Sequence, residues 1–184
     1  MDGIKHFCTL ATYNARLNRQ VFTAASVLSH DQLHEDRGAF FKSIMGTLNH
    51  ILVGDLLWLR RLYLHHGTDN AQFSQLVKLA EFPAVTSLNQ ILFEDFSVLK
   101  EKRFAVDAII SLWINEQLSE ADLESDFRYQ NMKGESSTKN FGEMLSHIFN
   151  HQTHHRGQVS TLLMQAGVDI GVTDYLIDVC SIDL

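Results

Sequence analysis

The sequence has few of the residues that mark disulfide scaffolds, flexible chains and nucleic-acid binders. Its 184 residues include two cysteines, one proline and ten glycines. Cys8 and Cys180 form neither a CxxC motif nor a disulfide framework, which is typical of proteins in the reducing cytoplasm. The formal net charge is −7, and no basic cluster is larger than the one at residues 100–103. The composition therefore predicts no nucleic-acid partner.

Long apolar segments are also missing. No run of 18 apolar residues occurs, and the first residues lack the apolar core of a signal peptide, so no membrane segment is predicted. The length suits one domain, and no linker, internal repeat or low-complexity stretch divides the chain. We therefore expect a single cytoplasmic domain over residues 1–184.

Helical periodicity dominates what the sequence does contain. Apolar residues recurring at spacings of three and four predict four long helices, at residues 4–28, 39–65, 92–117 and 140–165. The connection between the second and third is too long for a tight hairpin and predicts a crossover. A change of period at residues 127–139 predicts a small β-hairpin before the last helix. The expected fold is an all-α four-helix bundle with these two additions, and the segment after residue 167 is expected to fold back along it.

The last predicted helix carries the most specific chemistry. It holds four of the ten histidines, at positions 147, 151, 154 and 155. On a helix, His151 and His155 are about 40° apart around the axis and about 6 Å apart along it, so both imidazoles can reach one metal ion. Two inward-facing histidines can equally be hydrogen-bonded core residues. The spacing alone is compatible with both interpretations.

A metal site here needs a third ligand, because a helical pair does not complete the coordination sphere of a zinc-type ion. His50 in the second predicted helix is a candidate. Its helical neighbours are small, namely Ser43, Gly46, Thr47 and Gly54. Glycine costs about 1 kcal/mol relative to alanine inside a helix, so such a row is expected where a helix approaches closely or where a face lines a cavity. Close packing alone explains the row as well as a ligand site does.

Several segments resemble the DinB/YfiT-like family of small metal-binding helical bundles. They are N-H-I-L-V-G-D-L-L-W-L in the second helix, M-K-G-E in the hairpin, H-I-F-N-H-Q-T-H-H-R-G-Q-V in the last helix, and L-L-M-Q-A-G-V and T-D-Y-L near the end. The resemblance covers nearly the whole chain, and H-x-x-x-H-R-G-Q is its most specific element. It implies a four-helix bundle that forms a homodimer. It also implies a divalent metal ion, zinc or nickel, bound by His50, His151 and His155.

Three protein ligands leave a coordination position for water, a thiolate or a substrate oxygen. Members of the family that the chain resembles include transferases and isomerases that use low-molecular-weight thiols. The first hypothesis is therefore a metal-dependent thiol S-transferase acting on a small electrophile. The alternatives are a metal-dependent hydrolase and a non-catalytic metal-binding stress-response protein. Gln152 stands where H-E-x-x-H metalloproteases carry their glutamate, so protease activity is not expected.

Alternative roles are open for other polar residues of this helix. Gln158 shares a face with His155 and is expected either to hydrogen-bond a group near the metal or to face solvent. Arg156 is expected either to attract an anionic thiol or substrate or to form a plain salt bridge. His147 and His154 receive no ligand role from the resemblance. Because histidine ligands must be neutral, metal occupancy is expected to fall below about pH 6.

Overall fold

The four long helices are present in the computed structural model, which describes residues 2–66 and 71–181. Six α-helices are described: α1 Gly3–Ala25, α2 His30–His34, α3 Ile44–His66, α4 Phe96–Glu116, α5 Glu120–Leu123 and α6 Phe141–Gln165. A two-stranded antiparallel sheet is formed by β1 Asp126–Gln130 and β2 Ser136–Asn140, and 3-10 helices span Ala71–Glu81 and Tyr175–Asp178. None of the described helices is both long enough and apolar enough to cross a membrane.

Capping residues determine where three of the long helices begin. Each has a side chain that accepts a hydrogen bond from an otherwise free backbone N–H of the first turn, and they are Asp2, Asp95 and Asn140. The third predicted helix therefore begins at Phe96, after its cap, rather than at residue 92. The second begins at Ile44 rather than at residue 39, because residues 39–43 form a tight turn in which Lys42 has φ of 70°. That backbone conformation cannot continue a right-handed helix.

The long helices form the predicted bundle. α1 packs against α4 and α6, and α3 packs against the same two, so the order around the bundle is α1, α4, α3, α6. The predicted crossover from α3 to α4 contains the first 3-10 helix, which packs on both of them. The hairpin pairs Asp126 with Asn140 and contacts α3 and α6. The all-α four-helix bundle with a crossover and a hairpin is thus confirmed.

The segment after α6 folds back along α1, as predicted. Arg16 of α1 forms a 2.7 Å ion pair with Asp178, and the Tyr13 ring packs edge-on against Tyr175 at 5.3 Å. These contacts involve the described residues up to position 181. They hold the 3-10 helix Tyr175–Asp178 against the face of α1 that α4 and α6 leave open.

Beside the apolar core, a buried polar network joins the helices. Arg103 of α4 is 1% exposed and forms ion pairs with Asp55 of α3 and with Asp107. Asn14 and Asn18 of α1 donate hydrogen bonds to Asp107. Buried charges are tolerated only when they are paired and hydrogen-bonded. The network therefore favours one relative placement of α1, α3 and α4, and it occupies the side of α3 facing away from His50.

Candidate metal centre

Helices α3 and α6 bring the three predicted ligands together. The Nε2 atom of His50 lies 3.2 Å from Nε2 of His151 and 3.2 Å from Nε2 of His155. One ligand atom from each residue falls within 4.8 Å of the other two, so the group could hold a metal ion. His50 is 5% exposed and His155 is 9% exposed. The i,i+4 pair and the histidine from the second long helix thus meet at one point.

The small residues beside His50 have a direct steric explanation. A methyl group at Gly54 would lie 2.5 Å from Cε1 of His151, and one at Gly46 would lie 2.1 Å from the backbone oxygen of Phe41. Both distances are shorter than a side-chain contact allows, so a methyl group would require the His151 ring or the Phe41 backbone to move. Gly54 thus makes room for a candidate ligand, whereas Gly46 makes room for the turn before α3. Close packing and a cavity-lining face, the two explanations considered for the row, both contribute.

The outer nitrogens of two rings are held by hydrogen bonds. Nδ1 of His50 lies 2.7 Å from the carbonyl oxygen of Leu88, and Nδ1 of His155 lies 2.7 Å from Oε1 of Gln158. Oxygens of this kind only accept, so each Nδ1 carries the proton and each Nε2 carries a lone pair. Two lone pairs that face each other at 3.2 Å have no hydrogen bond to share. A cation satisfies both, so the residues present fit a metal ion.

Burial keeps these imidazoles neutral. It lowers the pKa of His50 and of His155, and it lowers that of His151 to about 3, with further lowering from the neighbouring His155 and His50 rings. Neutral imidazole is the form that binds metal. The structure therefore moves the expected loss of metal to solutions more acidic than the pH of about 6 that ordinary histidines predict.

A cavity of 630 Å³ opens beside the three histidines. Apolar and aromatic side chains make up much of its wall, together with polar groups from α3, α6 and the hairpin turn. The lining comprises Phe40, Phe41, His50, Gly54, Leu57, Trp58, Arg61, Leu88, Asn131, Met132, Lys133, His147, His151, His154, His155 and Gln158. A cavity of this size suits a small organic molecule next to the candidate metal position.

One wall residue escaped the sequence analysis. The Phe41 ring stacks on His50, with centroids 3.7 Å apart and an angle of 16° between the planes. Periodicity had placed residue 41 inside a helix, whereas the turn at residues 39–43 directs its ring back over His50. The Phe40-Phe41 pair directly before the row of small residues was the available signal. A positive φ at Lys42 is not visible in a hydrophobic pattern.

Arg156 does not belong to the site. It is 4% exposed, points into the bundle, and donates hydrogen bonds to Asn14, Gln152 and Thr153. Neither of its two expected roles is seen among the described residues: it does not line the cavity, because residues 155 and 156 point in different directions from the helix, and its hydrogen-bond partners are uncharged side chains rather than a carboxylate. Gln152 is fully buried in the same polar network, on the side of α6 away from the cavity.

The predicted role of Gln158 near the metal position is supported by its hydrogen bond to His155. His147 and His154 line the cavity without joining the three ligand nitrogens. Elsewhere, His30 is exposed as expected, while His34 is only half exposed and stacks on it at 4.1 Å. His65 accepts a hydrogen bond from the backbone N–H of Arg128.

Comparison with known proteins supports the family resemblance that the sequence segments indicated. The model of the DinB family matches residues 3–181. The chain belongs to the DinB family. It is 29% identical over 166 residues to protein DinB of Bacillus subtilis (strain 168), an alignment that covers 90% of this chain and 89% of that protein. No solved structure gives a significant match. The DinB family resemblance inferred from the histidine segments is thereby confirmed.

Proposed function

We propose that His50, His151 and His155 hold one divalent metal ion, zinc or nickel, in this DinB family member. The observation that carries the proposal is the convergence of three imidazole nitrogens, two of them with lone pairs assigned by their outer hydrogen bonds. Nitrogen ligands of this type suit zinc and nickel. Three ligands leave room for a further one on the side of the cavity.

We further propose that the protein is a metal-dependent thiol S-transferase that joins a low-molecular-weight thiol to a small electrophile. A divalent ion bound at the three histidines supplies a Lewis acid that lowers the pKa of a neighbouring thiol or water. In the transfer, the thiol loses its proton to solvent and its sulfur forms a bond to the electrophilic carbon. The displaced electron pair leaves with the leaving group or takes up a proton.

The chain's own residues orient and shield the reactants. The carbonyl of Leu88 and the amide of Gln158 hold two of the rings in position. The apolar side chains of Phe41, Leu57 and Trp58 line the cavity and favour an electrophile with an apolar body. The shape of the cavity and its apolar lining thus determine which electrophile lies beside the thiol.

A homodimer is proposed as the working form. Several large apolar side chains are exposed, among them Phe40 at 85%, Leu176 at 77% and Val172 at 59%. Apolar surface of this kind is a common feature of interfaces between identical subunits.

The free cysteines Cys8 and Cys180 support a place in a reducing compartment, for which we propose the cytoplasm.

Cobalt substitution tests the thiol chemistry. A panel of small thiols is titrated into cobalt-loaded protein while thiolate-to-cobalt absorption is recorded, and turnover with small electrophiles is then measured on zinc-, nickel- and manganese-loaded samples. We expect at least one thiol to bind with release of a proton, and we expect His151→Ala to lose both signals. If no thiol alters the spectrum, S-transfer is refuted in favour of hydrolysis or a non-catalytic metal-binding role.

A further inference from the structure

The cavity beside the candidate metal centre has a charge lining that contrasts with the rest of the protein. The chain carries a net charge of −7, yet among the residues that the structure describes the cavity wall contains Arg61 and Lys133 and no aspartate or glutamate. The three histidines are neutral ligands, so the protein would leave the charge of a divalent ion uncompensated. A cavity with positive groups and no carboxylate favours an anionic ligand.

Arg61 is held in place by aromatic rings. Its Cζ atom lies 4.8 Å from the centroid of the Trp58 ring and 5.5 Å from that of Tyr129. The two rings lie against each other, with centroids 5.1 Å apart, and attract the guanidinium by cation–π contact, which leaves its N–H donors available for a hydrogen-bond acceptor. Within residues 2–66 and 71–181, no side chain or backbone oxygen accepts a hydrogen bond from these donors. The guanidinium group is thus held in position, while its N–H donors have no acceptor among the described residues.

The neighbouring residue, Arg60, is an arginine with a purely structural role. Arg60 donates hydrogen bonds of 2.7–2.9 Å to the backbone oxygens of Leu79, Phe82 and Pro83, and so fixes the crossover to α3. Arg61 occupies the next position and makes no such contact to any residue in the described part of the chain. A partly buried guanidinium with free donors is well suited to bind a carboxylate with two parallel hydrogen bonds.

Arg61 lies on the same face of α3 as His50. Eleven residues on a helix bring the direction back to within about 20° and advance it by about 16 Å. The side chain folds back over Trp58, three residues earlier, and therefore toward the histidines. The Trp58 ring lies 5.2 Å from the His147 ring, which lies 6.1 Å from that of His151. The guanidinium and the three histidines thus line one cavity, roughly 10 Å apart.

We propose that Arg61 is the binding site for a carboxylate on the ligand of this cavity, with Lys133 of the hairpin turn as a second cation. The inference rests on the proposed function and specifies its ligand: a small thiol whose sulfur lies at the histidines and whose carboxylate reaches Arg61. The spacer between these ends runs along the Trp58 ring and is apolar. Short thiols and uncharged thiols lack the second contact.

Two thiols that differ only at the far end test the assignment. Cobalt-loaded protein is titrated with 6-mercaptohexanoate and with 6-mercaptohexan-1-ol, and Kd is measured by calorimetry while the cobalt spectrum reports the sulfur end. We expect the carboxylate to bind about tenfold more tightly or better, the effect of a charge-assisted hydrogen-bond pair. Arg61→Gln is expected to remove this preference and to leave the Kd of the alcohol unchanged.

Matched variants keep the outcome clear. Arg19→Gln, at an exposed arginine of α1, is expected to retain the full preference. Arg61→Lys keeps the charge without the planar fork and is expected to retain only part of it, which provides the test if Arg61→Gln folds poorly. Full preference in both Arg61 variants overturns the assignment. If neither thiol alters the cobalt spectrum, the thiol chemistry fails, while hexanoate against hexanamide still tests Arg61 by calorimetry with the same expected result.

Discussion

Replacing Gly54 by alanine is expected to weaken metal binding without destabilising the fold. The added methyl group would lie 2.5 Å from Cε1, 3.0 Å from Nδ1 and 3.4 Å from Nε2 of His151. Carbon atoms in contact are about 3.5–4.0 Å apart, so the imidazole must move by roughly 1 Å. His151 lines the open cavity and has space to move into. The strain is therefore relieved by displacement of the ring rather than by separation of α3 and α6.

The expected loss is large for metal binding and small for folding. Metal–ligand distances tolerate only about 0.2 Å, so a ring displaced by roughly 1 Å no longer serves as a ligand. Loss of an outer contact alone weakens metal binding about 10–100-fold, and we expect Gly54→Ala to weaken it about 100-fold or more. The free energy of unfolding of the metal-free protein should stay within about 1 kcal/mol of wild type, since alanine is the better helix former.

Gly157→Ala is the matched control. Gly157 lies in α6, and a methyl group there meets no atom within 4 Å. This variant should gain up to about 1 kcal/mol of stability and bind metal as wild type does. Competition with a chelator of known affinity measures metal binding, and urea unfolding measures stability. Wild-type metal affinity in Gly54→Ala would show that the His151 ring at this position is not a ligand.

Three further predictions concern metal binding by ligand variants, the stability of the metal-free protein at low pH, and dimer formation. Alanine at each of the three ligand positions should weaken metal binding far more than His30→Ala or His65→Ala; equal metal content in all five variants would contradict the ligand assignment. Because burial lowers the pKa of His151 to about 3, the unfolded chain binds more protons from about pH 6.5 downward, so the metal-free protein should lose stability on acidification through that range. An NMR titration in which the His151 ring protonates near pH 6.5 would rule this out. Sedimentation at micromolar concentration should show a dimer, and a single species of 21.0 kDa would refute it.

The amino-acid sequence by itself predicted the architecture, and together with the family resemblance it supplied the three candidate ligands. Apolar periodicity is a local property of the chain, so it located the four helices and the change of period at the hairpin. Helical geometry placed His151 and His155 on one face without any tertiary information. The row of small residues made His50 a candidate, and the resemblance to the DinB/YfiT-like family implied it as the third ligand. Each of these features depends on neighbours within a few positions along the chain.

Only the tertiary structure decided how these elements meet and which way particular side chains point. Arg156 follows a candidate ligand directly, yet it points into the bundle and bonds to Asn14 of α1, 142 positions away. The ring of Phe41 lies over His50 because a turn with a positive φ at Lys42 interrupts the helical pattern. The carbonyl of Leu88, which sets the tautomer of His50, comes from the crossover. Contacts between residues far apart in sequence depend on how the helices pack, and local periodicity contains no record of that packing.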